Sequence, residues 1–125
     1  MTDRLAHARY ISLESFKKNG DGVRTPVWCA PLDDKIVVFT AGSSYKVKRI
    51  ARNPQVRIAR CDARGKLLGD FHPGTCEIVS DPNRERAAYK ALRKKYGLQM
   101  RMLDFFSGLA GKKQQRKVLE IALAS

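Results

Sequence analysis

One short segment constrains the fold more than any other, because a buried strand gives way within a few residues to a basic helix. The run Ile36–Phe39 is rich in β-branched residues and too short for a helix, which predicts a strand. Beyond Gly42, apolar residues recur at helical spacing, namely Val47, Ile50 and Ala51. Asn53-Pro54 ends this pattern. The sequence therefore predicts a strand, a turn and a helix over residues 36–54.

The turn within this segment has the chemistry of an anion site. The first N–H groups of a helix lack partners within it, and the helix dipole favours negative charge there. The hydroxyls of Ser43 and Ser44 can cap these groups or bind a phosphate, while Lys46 and Lys48 supply positive charge. An ordinary capped helix with solvated cations fits the same residues, so this segment alone leaves both interpretations open.

Short strands separated by turn signals account for most of the remaining chain. Alternation of apolar and polar residues predicts strands over Ala8–Lys18, Val23–Pro31 and Gln55–Asp62. Lys35–Thr40 is predicted as a strand that is apolar on both faces, and Lys66–Ser80 as a strand with kinks at Gly69 and Pro73-Gly74. The turn residues Asn19–Gly22 join the first two as a hairpin, and Pro26 indicates an edge strand because proline cannot donate to a neighbour.

The C-terminal third contains the clearest helix signals. Asp81-Pro82 predicts a helix start and Gly97 its end, and a second, shorter helical pattern runs over Leu98–Leu109. The basic run Arg93–Lys95 is expected to face solvent. The tail Lys117–Ala124 fits either a helix or a sixth strand. Five or six hairpin-connected strands favour one small antiparallel β-barrel with α insertions, occupying residues 1–125 as a single domain.

The charge of the chain predicts an anionic partner. Twenty-five Lys and Arg against twelve Asp and Glu give a net charge of +13. The basic residues are spread along the chain, and no motif with stacking aromatic residues is present. We therefore expect the positive charge to serve a phosphorylated or polycarboxylate cofactor and not a nucleic acid.

Other classes of site lack the residues that they need. Three separated cysteines, Cys29, Cys61 and Cys76, argue against a disulfide framework or a zinc site and are expected to be buried thiols. Neither His7 nor His72 lies near a second ligand or a nucleophile in the sequence, so we expect no metal and identify no catalytic residue. Without an apolar signal segment or membrane span, a cytoplasmic location is expected.

Three stretches together carry a family resemblance, namely RTPVW at 24–28, IVVFTAGSSYKVKRIARNPQV at 36–56 and RCDARG at 60–65. They resemble the flavin and deazaflavin split-barrel oxidoreductases of the pyridoxamine 5′-phosphate oxidase superfamily, and most closely the members that use coenzyme F420. The resemblance implies a six-stranded antiparallel split β-barrel that forms a homodimer, with a cofactor site at each end of the interface. It also implies a small-molecule substrate and no membrane partner.

The resemblance implies two groups of cofactor-binding residues. The phosphate and anionic tail would contact Thr40, Ser43, Ser44, Lys46, Lys48 and Arg49. The ring system would lie beside Arg24, Thr25, Pro26, Val27 and Trp28, although a lone Trp in a strand is also typical of a core. Arg57, Arg60 and Arg64 fit either contact with the partner chain's cofactor or a solvated strand face.

The implied activity is F420-dependent hydride transfer to or from a small organic molecule. Two alternatives remain open. The first is an FMN-dependent oxidoreductase, although Ser44-Tyr45-Lys46 stands where the oxidase proper has Ser-Arg-Lys, so one phosphate-binding Arg is absent. The second is a non-catalytic protein that binds a flavin, F420 or haem.

Overall fold

The computed structural model describes residues 2–41, 45–97 and 116–124, which form seven strands and three helices. In chain order the elements are α1 (Thr2–Ala6), β1 (Tyr10–Phe16), β2 (Gly22–Val27), β3 (Ala30–Leu32), β4 (Lys35–Ala41), α2 (Tyr45–Arg52), β5 (Gln55–Cys61), β6 (His72–Val79), α3 (Pro82–Tyr96) and β7 (Arg116–Leu123). The short helix α1 has no counterpart among the sequence predictions.

All seven strands belong to one antiparallel sheet with the order β2-β1-β5-β6-β7-β4-β3. The β1–β2 hairpin pairs Ile11 with Val27 and Phe16 with Gly22. β2 lies at one end of this order, yet it approaches β4 near the other end, because the sheet is curled. The prediction of a mainly β, antiparallel barrel is confirmed, and Pro26 lies on an edge strand as expected.

The prediction of one strand over Val23–Pro31 is wrong, because β2 ends at Val27 and β3 begins at Ala30 at the opposite end of the sheet order. The break has a local cause. The backbone N–H of Cys29 donates to the hydroxyl of Tyr96 at 3.0 Å instead of joining a strand ladder. This division raises the number of strands from the expected six to seven.

The prediction of a strand throughout Lys66–Ser80 is also wrong. Only His72–Val79 forms β6, and the preceding residues make a single bridge, between Leu67 and Cys61. Phe71 is held instead against β2 and β5, where the guanidinium groups of Arg24 and Arg57 lie 4.6 and 4.8 Å from its ring centre. These two cation–π contacts favour a folded-back loop over a longer strand.

The ambiguous tail is a strand, and the predicted long helix is present. β7 inserts between β6 and β4, with Leu119 and Ile121 fully buried on one face and Val118 on the other. α3 begins after Asp81, whose carboxylate accepts from the N–H of Asn83 at 3.0 Å, and ends at Gly97. The helix predicted over Leu98–Leu109 lies outside the described residues.

The sheet separates two apolar clusters. One fills the barrel and contains Leu13, Ile58 and Ile121, and α2 contributes Ile50 to it. The other lies between the sheet and α3, centred on the fully buried Leu92. None of the helices in the described ranges is long and apolar enough to cross a bilayer.

Candidate functional site

The helix that follows the predicted anion turn has the expected two faces. Val47 and Ile50 are buried against the barrel, while Lys48 and Tyr45 face outward, with Tyr45 74% exposed. The turn residues Ser43 and Ser44 lie outside the described residues, so their contact with an anion stays a prediction. Thr40 is described and is partly buried, one residue before the end of β4.

Lys46 is a cation of α2 that the fold partly removes from water. Burial lowers the pKa of its ammonium group below the usual value, and the nearby positive charge of Arg49 lowers it further. The first turn of α2 contains no acidic residue. Among the described residues, none forms an ion pair or hydrogen bond with Lys46. A partly desolvated cation without a carboxylate neighbour is disposed to bind an anion.

The other cations of α2 have different surroundings. Arg49 donates from Nε to the hydroxyl of Ser15 at 2.8 Å, and Arg52 donates to the carbonyl of Phe16 at 3.3 Å. These bonds fix α2 to the end of β1. Lys48 is exposed, with its ammonium 5.4 Å from the ring centre of Tyr45. Arg49 therefore positions the helix, whereas Lys48 is open to a ligand or to solvent.

The predicted ring-binding strand begins at a buried charge cluster. Glu14 on β1 is 3% exposed and accepts from Arg24 at 3.0 Å and from Arg57 at 2.5 Å. Burial acts to raise the pKa of Glu14, but the hydrogen bonds and charges of the two arginines outweigh it, so the pKa lies below its usual value. Gly22 is required here, since a Cβ atom would lie 2.5 Å from the Glu14 carboxylate. Arg24 is thus engaged by the fold.

The remaining β2 positions differ in what they can offer a ligand. Val27 is buried in the barrel, whereas Pro26 is exposed and Thr25 partly buried. β2 pairs only with β1 among the described strands, so its outer edge offers backbone groups without a strand partner. β2 also approaches β4, the strand that carries Thr40.

Trp28 packs against α3. Its ring stacks on Tyr96 with centroids 4.4 Å apart and an interplanar angle of 9°, and meets Phe39 edge-on at 6.1 Å. It is nevertheless only partly buried. Trp28 therefore contributes to the second apolar cluster, and its contact with a cofactor ring stays a prediction.

Sequence reasoning missed a polar junction at the end of α3. The ammonium of Lys95 lies 2.8, 2.5 and 2.6 Å from the carbonyl oxygens of Ala6, Ala8 and Cys29. The expectation that Lys95 faces solvent is wrong, because these carbonyls replace water around its charge. No local signal in the sequence identifies this junction, because the acceptors of Lys95 are 66 to 89 residues away from it in the chain.

The three cysteines are buried and unpaired, as expected. Burial raises the pKa of the Cys29 thiol to about 11, although the nearby Lys95 opposes this shift. Cys29 is therefore a neutral thiol near pH 7 and not a nucleophile. Within the described ranges, no three His, Cys, Asp or Glu side chains are placed to hold a metal ion.

A groove of about 550 Å³ lies between α3, β3 and the residue that follows α1. Its walls combine the apolar Pro31, Leu32, Ala87 and Ala91 with the basic His7, Lys90, Lys94 and Lys95. Lys95 is occupied by carbonyls, which leaves His7, Lys90 and Lys94 to meet a ligand. Such a groove suits a flat apolar molecule with acidic groups.

Comparison with known families gives one match over the complete chain. The model described as pyridoxamine 5′-phosphate oxidase matches residues 1–125. No curated protein matches the chain.

Solved structures agree in fold at low sequence identity. A conserved hypothetical protein from Mycobacterium tuberculosis is 21% identical with a TM-score of 0.74, covering 99% of this chain and 78% of that one. A candidate 5-nitroimidazole antibiotic resistance protein from Bacteroides thetaiotaomicron is 16% identical with a TM-score of 0.72 and the same coverage. The haem storage protein HutZ from Vibrio cholerae is 10% identical with a TM-score of 0.70, covering 94% of this chain and 82% of that one. At these identities the likeness concerns the fold alone.

Proposed function

Because this chain belongs to the pyridoxamine 5′-phosphate oxidase family, we propose that it binds the deazaflavin coenzyme F420 and catalyses hydride transfer between it and a small organic substrate. The proposed phosphate site is the start of α2, and the proposed ring site is the outer edge of β2. Bound F420 would supply the hydride chemistry, which needs little acid–base machinery from the protein.

The observation that carries this proposal is Lys46. It is a partly buried cation in the first turn of a helix, where the dipole disfavours positive charge, and no described carboxylate neutralises it. A bound phosphate would reverse that unfavourable position. The residues of this site therefore fit a phosphate-bearing cofactor.

The chain's own residues bind and orient in this scheme. Lys46 and the first N–H groups of α2 would hold the phosphate, and the bond from Arg49 to Ser15 fixes α2 relative to β1. Glu14 binds the side chain of Arg24, and the outer backbone edge of β2 would lie beside the ring. Exposed Lys48 would meet the anionic tail, which F420 has and FMN lacks.

FMN is the second candidate at this site, disfavoured because Tyr45 is exposed and uncharged where the oxidase proper has a phosphate-binding arginine. Haem is a candidate for the other groove, since His7 can ligate iron beside an apolar wall and the lysines Lys90 and Lys94. HutZ is a haem storage protein with the same fold. This alternative makes the chain a carrier and not an enzyme.

We further propose that the chain acts as a cytoplasmic homodimer. The resemblance implies a cofactor site at the dimer interface, so a second subunit would lie next to a ring bound at the outer edge of β2, which has no described strand partner. Sedimentation equilibrium should give a dimer at micromolar concentration, and a folded monomer there would contradict the proposal.

Binding titrations with F420, FMN and haem separate the candidates. F420 should bind more tightly than FMN at physiological salt, and reduced F420 should turn over with an acceptor. Tighter FMN binding would exchange the first candidate for the second. A haem Soret band that is lost in His7→Ala, together with absent F420 binding, would favour the carrier.

A further inference from the structure

A second cavity lies at the other end of β5 from α2. It has a volume of about 250 Å³ and is lined by Arg4 and Leu5 of α1, Arg60, Gly69, Asp70 and His72. Arg60 is five residues further along β5 than Gln55, which follows α2, and this separates the cavity from the α2 end by roughly 16 Å. The cavity thus lies at the opposite end of β5 from the C-terminal end of α2.

The strand pattern explains why polar side chains gather there. Val56 and Ile58 are buried inside the barrel, and Arg60 follows on the same face of β5. His72 likewise shares the face of β6 that carries the buried Cys76. The apolar interior therefore ends in an arginine and a histidine, with Leu5 as the apolar side of the cavity.

The guanidinium of Arg60 is held in place before any ligand arrives. Its Nη2 donates to the carbonyl of Leu68 at 3.4 Å, while the N–H of Leu68 donates to the carbonyl of Arg60 at 2.8 Å. Gly69 also lies beside this side chain, since a Cβ atom added there would be in ordinary van der Waals contact with Nε of Arg60, at 3.5 Å. Only one of the five guanidinium N–H donors is used by these bonds.

The charges around the cavity are not neutralised among themselves. Arg4 and Arg60 face a single carboxylate, Asp70, and no ion pair joins these three within the part of the chain that the structure describes. His72 has no described hydrogen-bond partner either. The balance favours an anion, with Asp70 left to accept a hydrogen bond.

We propose that this cavity binds a small organic anion, a carboxylate or phosphate that also carries a hydroxyl or amine group. Arg60, with its donors arranged as a fork, would bind the anionic oxygens together with Arg4, and Asp70 would accept from the hydroxyl or amine. The volume is below the roughly 300–1,000 Å³ of drug-sized sites, which limits the ligand to a few heavy atoms beyond the anionic group. This site is independent of the proposed cofactor site.

The test adds glycolate, acetate and inorganic phosphate separately to the full chain. Changes in the amide chemical shifts report where each probe binds and how tightly. Glycolate should perturb residues of α1 and 68–72 and bind more tightly than acetate, which lacks the hydroxyl. Arg60→Gln should weaken glycolate binding about tenfold or more. Arg64→Gln, a matched change in the exposed turn four residues away, should leave it unchanged. Asp70→Asn should remove most of the preference for glycolate over acetate.

Phosphate as the tightest of the three probes, with the same Arg60 dependence, would identify the ligand as a phosphate and not a carboxylate. Equal glycolate affinity in the parent and Arg60→Gln would overturn the proposal, as would the absence of any perturbation near the cavity. Loss of glycolate on saturation with F420 or FMN would also overturn it, because the cavity would then belong to the cofactor site.

Discussion

α2 carries four cations in eight residues and α3 carries six in fifteen, yet the two helices use them differently. In α3, Arg84 bonds Glu120 and Asp33, each at 2.7 Å, and Lys95 is surrounded by backbone carbonyls. In α2, neither Lys46 nor Lys48 has a carboxylate within ion-pair distance among the described residues. In these two pairs of residues, an acceptor from the protein distinguishes a structural cation from one that is available to a ligand.

The largest effect should come from removing the apolar anchor of α3. Leu92 is fully buried, so Leu92→Ala should lower the free energy of unfolding by about 2–5 kcal/mol. Urea denaturation measures the loss. Lys90→Ala, an exposed change on the same helix, should stay within about 0.5 kcal/mol. If the folded Leu92→Ala protein loses its cofactor affinity too, α3 is not purely structural.

On α2, a substitution is expected to weaken cofactor binding and not to lower stability. Lys46→Ala should weaken cofactor binding by about 1.5–3 kcal/mol, roughly tenfold to a hundredfold. Stability of the free protein should be unchanged or slightly higher, because a partly buried cation near the helix start is removed. Isothermal titration measures the affinity, with Lys66→Ala, a change at an exposed lysine that follows β5, as the control. Parental affinity for both F420 and FMN would show that the phosphate site is elsewhere.

The hydroxyl of Tyr96 provides a finer test of the α3 junction. Tyr96→Phe keeps the stacking on Trp28 but leaves the buried N–H of Cys29 without its acceptor, at a cost of about 1–3 kcal/mol. Thermal and urea denaturation report the change. Tyr45→Phe alters an exposed ring and should be neutral. An equally stable Tyr96→Phe protein would mean that the hydroxyl does not anchor the helix.

Lowering the pH should gradually remove the stability that the ion-paired carboxylates Glu14 and Glu120 contribute. Glu14 and Glu120 have pKa values below their usual 4.5 in the folded protein, so their contribution is fully present above pH 4.5 and is lost as pH falls through the folded values. Urea denaturation from pH 7 to pH 3 should show the free energy of unfolding falling with pH, and this fall should be shallower in Glu14→Gln. The matched change Glu85→Gln should leave the pH dependence as it is in the parent. Parallel pH profiles for the parent, Glu14→Gln and Glu85→Gln would show that Glu14 does not contribute to it.

The smallest effect is expected at Lys48. Its side chain is exposed and screened by salt, so Lys48→Ala should weaken F420 binding less than Lys46→Ala does, by under about tenfold. The loss should shrink as ionic strength rises. FMN affinity should hardly change, and a larger loss for FMN than for F420 would contradict the role given to this residue.

Local signals in the sequence were sufficient for much of the fold. The Asp81-Pro82 start of α3, the β1–β2 hairpin and the apolar face of α2 each depend on neighbouring residues, and each was predicted correctly. The break at Trp28-Cys29 was not predictable, because it depends on Tyr96, which is 67 residues away in sequence. The fold of residues 66–71 depends likewise on Arg24 and Arg57, which hold Phe71.

The candidate site was predictable to a similar degree. The sequence identified the cations of α2 but could not separate Lys46, which is partly buried, from Arg49, which bonds Ser15. It also could not show that Arg24 is held by Glu14, since that pair depends on the register of β1 and β2. Residue type indicates which charges exist, whereas tertiary contacts decide which of them are free.

The short connection between β2 and β3 sets an upper limit on the size of the barrel. Three Cα–Cα steps lead from Val27 to Ala30, a reach of roughly 11 Å. The two strands are the end members of a seven-stranded order, and in a flat sheet they would be roughly 29 Å apart. The polypeptide itself therefore forces the sheet to curl, whatever its side chains prefer. Inserting a few flexible residues between Trp28 and Cys29 would remove this constraint and allow the perimeter to widen.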